Sequence, residues 1–428
     1  MRLLLNKAGS DPRVVFVNRY YAPDLSATSQ MLTDLAEALA RDGRNVVVVC
    51  SRQQYENARA DLPHREIIRG VTVLRVLTTR SGRQRLAGRA LDYASFYVGA
   101  TWLLLRVVRR SDTLVVKTDP PLLSLCGSLV RFCKKARLVN WLQDIFPEVA
   151  SRLSLSPLPR SLESLLCAAR DSSLRSAHAN VVLGTRMRDF VAARGVAARH
   201  IHISENWADE RAVFPMPAAG SALRRQLGLA DRFVVAYSGN LGRAHDVETL
   251  LEAAQLLHPY SDVVFLMIGG GAKMGLLQEQ ARARGLGNFR FLPYQPRDAL
   301  NDSLAAGDVH LVSLLPQLEG LIVPSKIYGI LAAGRPLVFV GDVEGELAQL
   351  MRASGAGLGI AIGDGQGLCA ALVRLRGRLA EREAMGIAAR RLFESRYTLS
   401  AAVERWRDLL GAPGPSGDAA AVDAQSGT

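Results

Sequence analysis

Three loops in the second half of this 428-residue chain carry groups that could handle an anion. Ser238-Gly239-Asn240-Leu241-Gly242-Arg243 follows a short apolar run. Its glycines would let the backbone approach a ligand, and Arg243 offers a planar cation suited to phosphate oxygens. The plainer reading is a tight turn with Arg243 in solvent. Gly269-Gly270-Gly271-Ala272-Lys273 follows the next apolar run but has neither the Gly-Lys-Ser/Thr of a nucleotide P-loop nor a full G-x-G-x-x-G, so a simple strand-to-helix turn fits equally well. Glu319-Gly320-Leu321-Ile322-Val323-Pro324-Ser325-Lys326 leads into a helix, with Ser325 expected as its cap. The blander reading makes Lys326 a solvated first-turn lysine, but the helix dipole disfavours a cation there, which favours a functional role at the cleft.

The first half offers two further clusters. Tyr20-Tyr21-Ala22-Pro23-Asp24-Leu25-Ser26-Ala27-Thr28 follows the first strand, where an acceptor or a phosphate could bind. Asn140-Trp141-Leu142-Gln143-Asp144 follows the last clear strand of that half. Asp144 could orient a sugar hydroxyl or act as a base; equally, it could cap a helix or pair with a cation. Metal chemistry has little support: there is no Asp-x-Asp pair, and the seven histidines show no His-x-x-x-His or Glu-x-x-His spacing. No Gly-x-Ser-x-Gly elbow is present, so hydrolase chemistry is not favoured.

These loops need elements to hold them. Strands are expected at residues 14–18, 45–50, 71–77, 113–117 and 137–141, with helices at 28–41, around 93–109 and at 122–135. The alternation then restarts, with strands at 233–237, 263–268, 289–292, 309–314 and 336–340 between helical segments. Continuous apolar strands alternating with helices imply parallel sheets covered on both faces. The expected fold is therefore α/β, two doubly wound Rossmann-like domains facing across a cleft, joined near residues 201–221. Such sheets bind ligands beyond the carboxyl ends of their strands.

Composition narrows the class. Apolar residues make up 49% and charged residues 22%, a globular balance. Five scattered cysteines without a Cys-x-x-Cys pair argue against a disulfide framework or a thiolate zinc site. The start of the chain lacks a signal-peptide core, and the longest uncharged apolar run, residues 93–105, is too short to span a bilayer.

Taken in order, the motifs resemble the retaining, nucleotide-sugar-dependent glycosyltransferases of family four, which have the glycosyltransferase-B fold. They are Tyr21-Ala22-Pro23-Asp24, Asp144-Ile145-Phe146-Pro147-Glu148, Val181-Val182-Leu183-Gly184-Thr185, Glu205-Asn206-Trp207-Ala208-Asp209, Tyr237 through Gly242, Gly269-Gly270-Gly271, and Val323-Pro324-Ser325-Lys326 through Gly334-Arg335-Pro336. The Pro-Ser-Lys form looks most like the branch acting in bacterial exopolysaccharide and O-antigen synthesis, such as colanic acid. The resemblance spans residues 14–410. It implies an acceptor domain at 1–208, a nucleotide-sugar domain at 209–394, a C-terminal helix at 395–411 returning to the first domain, and a disordered tail at 412–428. It implies no cofactor and no metal, with a UDP- or GDP-linked sugar as substrate. Donor contacts fall on Gly239, Asn240, Arg243, Gly269, Gly270, Gly271, Ser325 and Lys326, with Glu319 the nearest carboxylate to an expected ribose-binding glutamate. Acceptor contacts fall on Tyr21, Asp24, Ser26, Thr28 and Asp144. Asp144, Arg243 and Lys326 take the catalytic roles, the two cations stabilising charge on the leaving diphosphate. The sequence departs from the family pattern at four places: Gly329 and Leu321 replace the Glu-x7-Glu pair, His245 stands near a usual lysine, Gln143 stands where many relatives have histidine, and Ser26-Ala27-Thr28 replaces the N-terminal Gly-Gly loop.

Charge is unevenly distributed. Residues 1–210 hold 31 Lys and Arg against 19 Asp and Glu, whereas 211–428 hold 22 against 21. Between Arg65 and Arg137 there are 15 basic and 4 acidic residues around the apolar run at 93–105. That pattern suits an anionic cytoplasmic membrane surface, from which a peripheral enzyme would reach a lipid-linked glycan acceptor; a buried helix flanked by solvated arginines is the competing reading. Nucleic acid is not expected as a partner, because no aromatic-rich basic stripe accompanies the charge. Two other functions stay open at this point: a nucleotide-sugar 2-epimerase of the same fold, and a non-catalytic basic membrane-surface protein.

Overall fold

The computed structural model describes residues 12–55, 57, 60–81, 86–155 and 158–411. The expected tail at 412–428, the first ten residues, and Arg83 and Arg85 of the basic stretch lie outside the described residues.

The first sheet contains β1 (Val14–Val17), β2 (Val46–Ser51), β3 (Arg65–Ile68), β4 (Val71–Val76), β5 (Thr113–Lys117), β6 (Arg137–Trp141), β7 (Ala179–Val182) and β8 (Ile201–Ile203). Its order is β3-β4-β2-β1-β5-β6-β7-β8, parallel except where β3 runs against β4. The second sheet contains β9 (Phe233–Asn240), β10 (Val263–Gly270), β11 (Phe289–Leu292), β12 (Val309–Ser313), β13 (Leu337–Gly341) and β14 (Gly357–Ala361). Its order is β11-β10-β9-β12-β13-β14, all parallel. Every residue of β1, β2 and β5 is buried, as helices on both faces require.

Some elements differ from the sequence reading. Ile201, placed in the linker at 201–221, opens β8 and pairs with Asn180, so the junction begins later. Three residues are too few to show a period, and only the neighbouring backbone makes them a strand. β3 went unassigned because Arg65 and Glu66 break its apolar pattern; it is an edge strand with Ile67 69% exposed. Ser325, expected as a cap, has αR backbone geometry and makes no side-chain cap bond to the helix Lys326–Ala332.

The chain crosses between the domains twice. Ala208 bridges Thr398, and the helix Leu399–Leu410 then lays Val403, Trp406 and Leu410 into the core of the first domain. Trp406 meets Trp141 edge-on, ring centroids 4.8 Å apart. The order of each sheet reverses direction at its first strand, between β1 and β5 and between β9 and β12, which opens a crevice at the carboxyl ends of these strands. The domains touch beside the crevices. Asp144 forms a β-bridge with Ile322, Ile145 N–H donates to the Leu321 carbonyl at 3.0 Å, and Arg297 pairs with Asp34 at 2.9 Å.

Candidate functional site

On the second domain, β9 and β10 end side by side, with Gly239 opposite Gly269 and Asn240 opposite Gly270. Gly269 has a φ of +126°, and a Cβ there would stand 2.3 Å from the Gly239 carbonyl oxygen. Only glycine lets these strand ends approach so closely. Leu241 N–H then donates to Gly270 O at 2.7 Å and Lys273 N–H to Leu241 O at 2.9 Å, which fixes one loop on the other. The role of Gly269, Gly270 and Gly271 visible here is thus to shape the Asn240 loop.

Lys326 reaches into that loop. Its ammonium donates to the Tyr237 phenol and to the Asn240 carbonyl (3.3 Å), lies 3.5 Å from His245 Nε2, and sits 4.1 Å from the centre of the Tyr237 ring. All of these are neutral groups, and Lys326 has no ion-pair partner among the described residues. Burial pushes the lysine down to about 7. His245 Nδ1 lies 2.6 Å from the Ser313 carbonyl, which can only accept, so Nδ1 carries the proton and Nε2 turns its lone pair toward Lys326. Burial and the Lys326 charge hold His245 well below its usual range, at about 3. Arg243 is exposed beside this cluster and has no partner among the described residues. The helix after β9 begins only at Glu248, and Asp246 accepts from Thr249 N–H at 3.0 Å, so one of its first backbone donors is already taken.

Glu319 is not brought to this cluster. Its carboxylate accepts from Glu346 N–H at 2.7 Å and braces the start of the helix Glu346–Ser354. Glu346 in turn crosses to the first domain and accepts from Thr185 N (2.7 Å), Thr185 Oγ1 (2.9 Å) and Arg186 N (3.0 Å) at the start of the helix Thr185–Ala192. Nothing in the sequence pattern pointed to this cross-domain cap.

The acceptor residues separate into two groups. Tyr21 is 2% exposed and packs in the core with Phe16, Leu35 and Val73, so its ring does not line the crevice; burial raises its phenol far above the usual range. Asp24 is also buried and braces its own loop, accepting from Ser26 N–H (2.8 Å), the Ser26 hydroxyl and Tyr55 N–H. These two are corrected from acceptor contacts to supports. Thr28 stays at the crevice, where its carbonyl accepts from Lys117 at 3.0 Å. Asp144 is half-buried at the domain junction. Burial, reinforced by Asp119, pushes its carboxyl up to about 6, with Lys117 opposing. Its neighbour Gln143 forms a reciprocal amide pair with Asn206 (3.1 and 2.9 Å), while Glu148 pairs with Arg170 at 2.6 Å. Lys117, Asp119, Tyr237 and His245 were missed as site residues. For Lys117 the available signal was a lysine closing the apolar run Thr113-Leu114-Val115-Val116; Tyr237 and His245 stood in or beside family motifs without being given a role.

Among the described residues no group of three His, Cys, Asp or Glu side chains could hold a metal ion. Two doubly wound domains meeting at paired crevices match the glycosyltransferase-B fold expected from the sequence. The comparisons agree. A glycosyl transferase 4-like domain matches residues 26–207 and a glycosyl transferases group 1 domain matches residues 232–377. The chain belongs to the family-four glycosyltransferases. It is 29% identical over 343 residues to Escherichia coli WcaI, named as a colanic acid biosynthesis glycosyl transferase, covering 77% of this chain and 83% of that one. Pseudomonas aeruginosa WbjE, named as a glycosyltransferase, is 29% identical over 280 residues (65% and 69%). Anabaena HepE, solved with UDP and glucose, superposes with a TM-score of 0.70 at 16% identity, covering 93% of this chain and 99% of its own.

Proposed function

We propose that the protein moves a sugar from a UDP- or GDP-linked donor, with retention and without a bound metal, to a lipid-linked (polyprenyl diphosphate) glycan in surface polysaccharide synthesis. The observation that carries this reading is the set of neutral groups around Lys326. A lysine held at a strand-end crevice with only a phenol, a carbonyl and an imidazole for company is a cation waiting for an anion, and a donor diphosphate supplies one. Arg243, free beside it, adds a second cation, and Ser325, released from capping, leaves a hydroxyl at the same rim. As the bond to the leaving diphosphate breaks, these groups stabilise charge where it develops. Asp144 meets the reacting sugar from the other domain, because its bridge to Ile322 sets it against the segment leading into Lys326. WcaI is named for colanic acid synthesis and HepE was solved with UDP, which favours a nucleotide-sugar donor and a polysaccharide product.

A lipid-linked acceptor agrees with one face of the first domain. The helices Leu86–Val107, Leu123–Lys134 and Arg160–Ser176 pack side by side and leave Val98, Trp102, Leu129, Phe132 and Leu165 exposed, Phe132 by 82%. Arg106, stacked 3.4 Å from the Trp102 ring centre, Arg131 and Lys134 border them. No helix of the described residues is long and apolar enough to cross a membrane. An apolar face rimmed by cations suits peripheral docking on an anionic cytoplasmic leaflet.

The test is a thermal-stabilisation screen against UDP- and GDP-sugars, followed by release of nucleoside diphosphate with and without lipid-linked acceptor in vesicles. Stabilisation by one donor and acceptor-dependent release are expected. Stabilisation by none overturns the reading, and conversion of the donor sugar to its 2-epimer without acceptor replaces it with an epimerase.

A further inference from the structure

The helix Thr185–Ala192 starts without a cap of its own, because Gly184 at its N-cap has no side chain to accept a hydrogen bond. The second domain supplies the acceptor. Glu346 reaches across the boundary, and its carboxylate accepts from Thr185 N–H at 2.7 Å, the Thr185 hydroxyl at 2.9 Å and Arg186 N–H at 3.0 Å. A return contact comes from the Arg186 guanidinium, which donates to the Glu344 carbonyl at 3.1 Å. Space is kept for this arrangement on both sides. A Cβ at Gly184 would stand 2.7 Å from both carboxylate oxygens of Glu346, and one at Gly345 would stand 2.9 Å from Glu319 Oε2. Neither glycine has left-handed backbone, their φ being −175° and −71°. Room for a carboxylate is what each supplies.

The same boundary runs on to the site. Glu319 accepts from Glu346 N–H at 2.7 Å, and a Cβ at the next residue, Gly320, would lie 3.2 Å from Arg186 Cβ. The Leu321 carbonyl then accepts from Ile145 N–H, and Ile322 bridges Asp144. Glu346 thus ties one end of a continuous contact whose other end sets Asp144 against the segment leading into Lys326.

We propose, resting on the reading of Lys326 and Asp144 given above, that Glu346 is a positioning residue for the sugar transfer. Its carboxylate, drawn to the free N–H groups of a helix start, fixes the second domain in register with the first. The donor held at Lys326 then faces Asp144. The hydrogen bonds of Glu346 go to neither crevice, so its loss should spare donor binding and lower turnover alone.

The experiment compares Glu346→Ala, Gly184→Ala and the double variant in the full chain. Amide hydrogen exchange of the stretch holding Thr185 and Arg186 reads the contact itself. Calorimetry with the nucleotide sugar that stabilises the wild type, and initial rates with lipid-linked acceptor, read the site. Either single variant should speed that exchange about tenfold and lower turnover about tenfold, with donor dissociation constants within about twofold of wild type. The double variant should be no worse than Glu346→Ala alone, because the added Cβ then meets an empty seat. Unchanged exchange or unchanged turnover in both single variants overturns the proposal. So does a fall in donor affinity equal to the fall in turnover, or losses that add in the double variant. Should Glu346→Ala fail to fold, wild-type exchange and turnover in Gly184→Ala overturn it equally. If exchange quickens while the wild type itself transfers sugar from no donor, the tie between the domains stands, and the reading of Lys326 and Asp144 is what fails.

Discussion

Each domain holds a lysine at its crevice, Lys326 in the second and Lys117 in the first, and the two are surrounded in opposite ways. Lys326 has a phenol, a carbonyl and a neutral imidazole around it, whereas Lys117 has three carboxylates nearby. Burial pushes both down to about 7. An uncompensated cation attracts an anion and stays costly until one arrives; a cation with carboxylates nearby gains less from a phosphate. On the proposed function, the contrast assigns diphosphate to the second domain and neutral sugar to the junction with the first.

The strongest way to break that division is Asp144→Ala. Turnover should fall about 100-fold while donor affinity stays within about twofold, as for a group acting on the reacting sugar alone. Equal losses in both would erase the distinction between the crevices, and initial rates together with titration calorimetry separate the two quantities.

Lys326→Met should act the other way. Donor dissociation constants should rise about 30-fold, roughly 2 kcal/mol, with the melting temperature of the ligand-free protein unchanged or higher. Unchanged donor affinity would remove Lys326 from the diphosphate. The same lysine gives wild-type binding a pH signature. Free, it titrates at about 7, and a bound diphosphate raises it. Binding should therefore take up close to one proton at about pH 8 and almost none at about pH 6, read from calorimetry in buffers of different ionisation enthalpy. Proton release instead of uptake would contradict the neutral surroundings.

Arg243→Ala should weaken the donor less, about fivefold at moderate salt, because this guanidinium is exposed and screened. The smallest effect belongs to Glu319→Gln. Its carboxylate braces the start of a helix, so donor affinity should not move and the melting temperature should drop by only about 2 °C. A clear loss of donor affinity in this variant would return Glu319 to the donor crevice.

The sequence was most legible where the signal is local. Valine-rich runs announced β1, β2 and β5, and the glycines at the ends of β9 and β10 announced a close approach that only glycine allows. It was least legible where a polar group could serve either the ligand or the chain. Asp24 and Glu319 read as ligand contacts and instead bind backbone N–H groups. Lys117 read as the plain end of a strand, because nothing nearby in the chain tells that Thr28, Asp34 and Asp144 converge on it.

What the sequence by itself determined is the alternation of elements, the two doubly wound domains and the strand-end loops, since hydrophobic period and glycine placement act over a few residues. What only the tertiary structure decided is which side chains those loops turn outward and which cations are left unpaired. Burial and long-range partners set the charge state of a lysine or an aspartate. Those partners come from strands and helices far apart in the chain, brought together only when the sheets form and the domains meet.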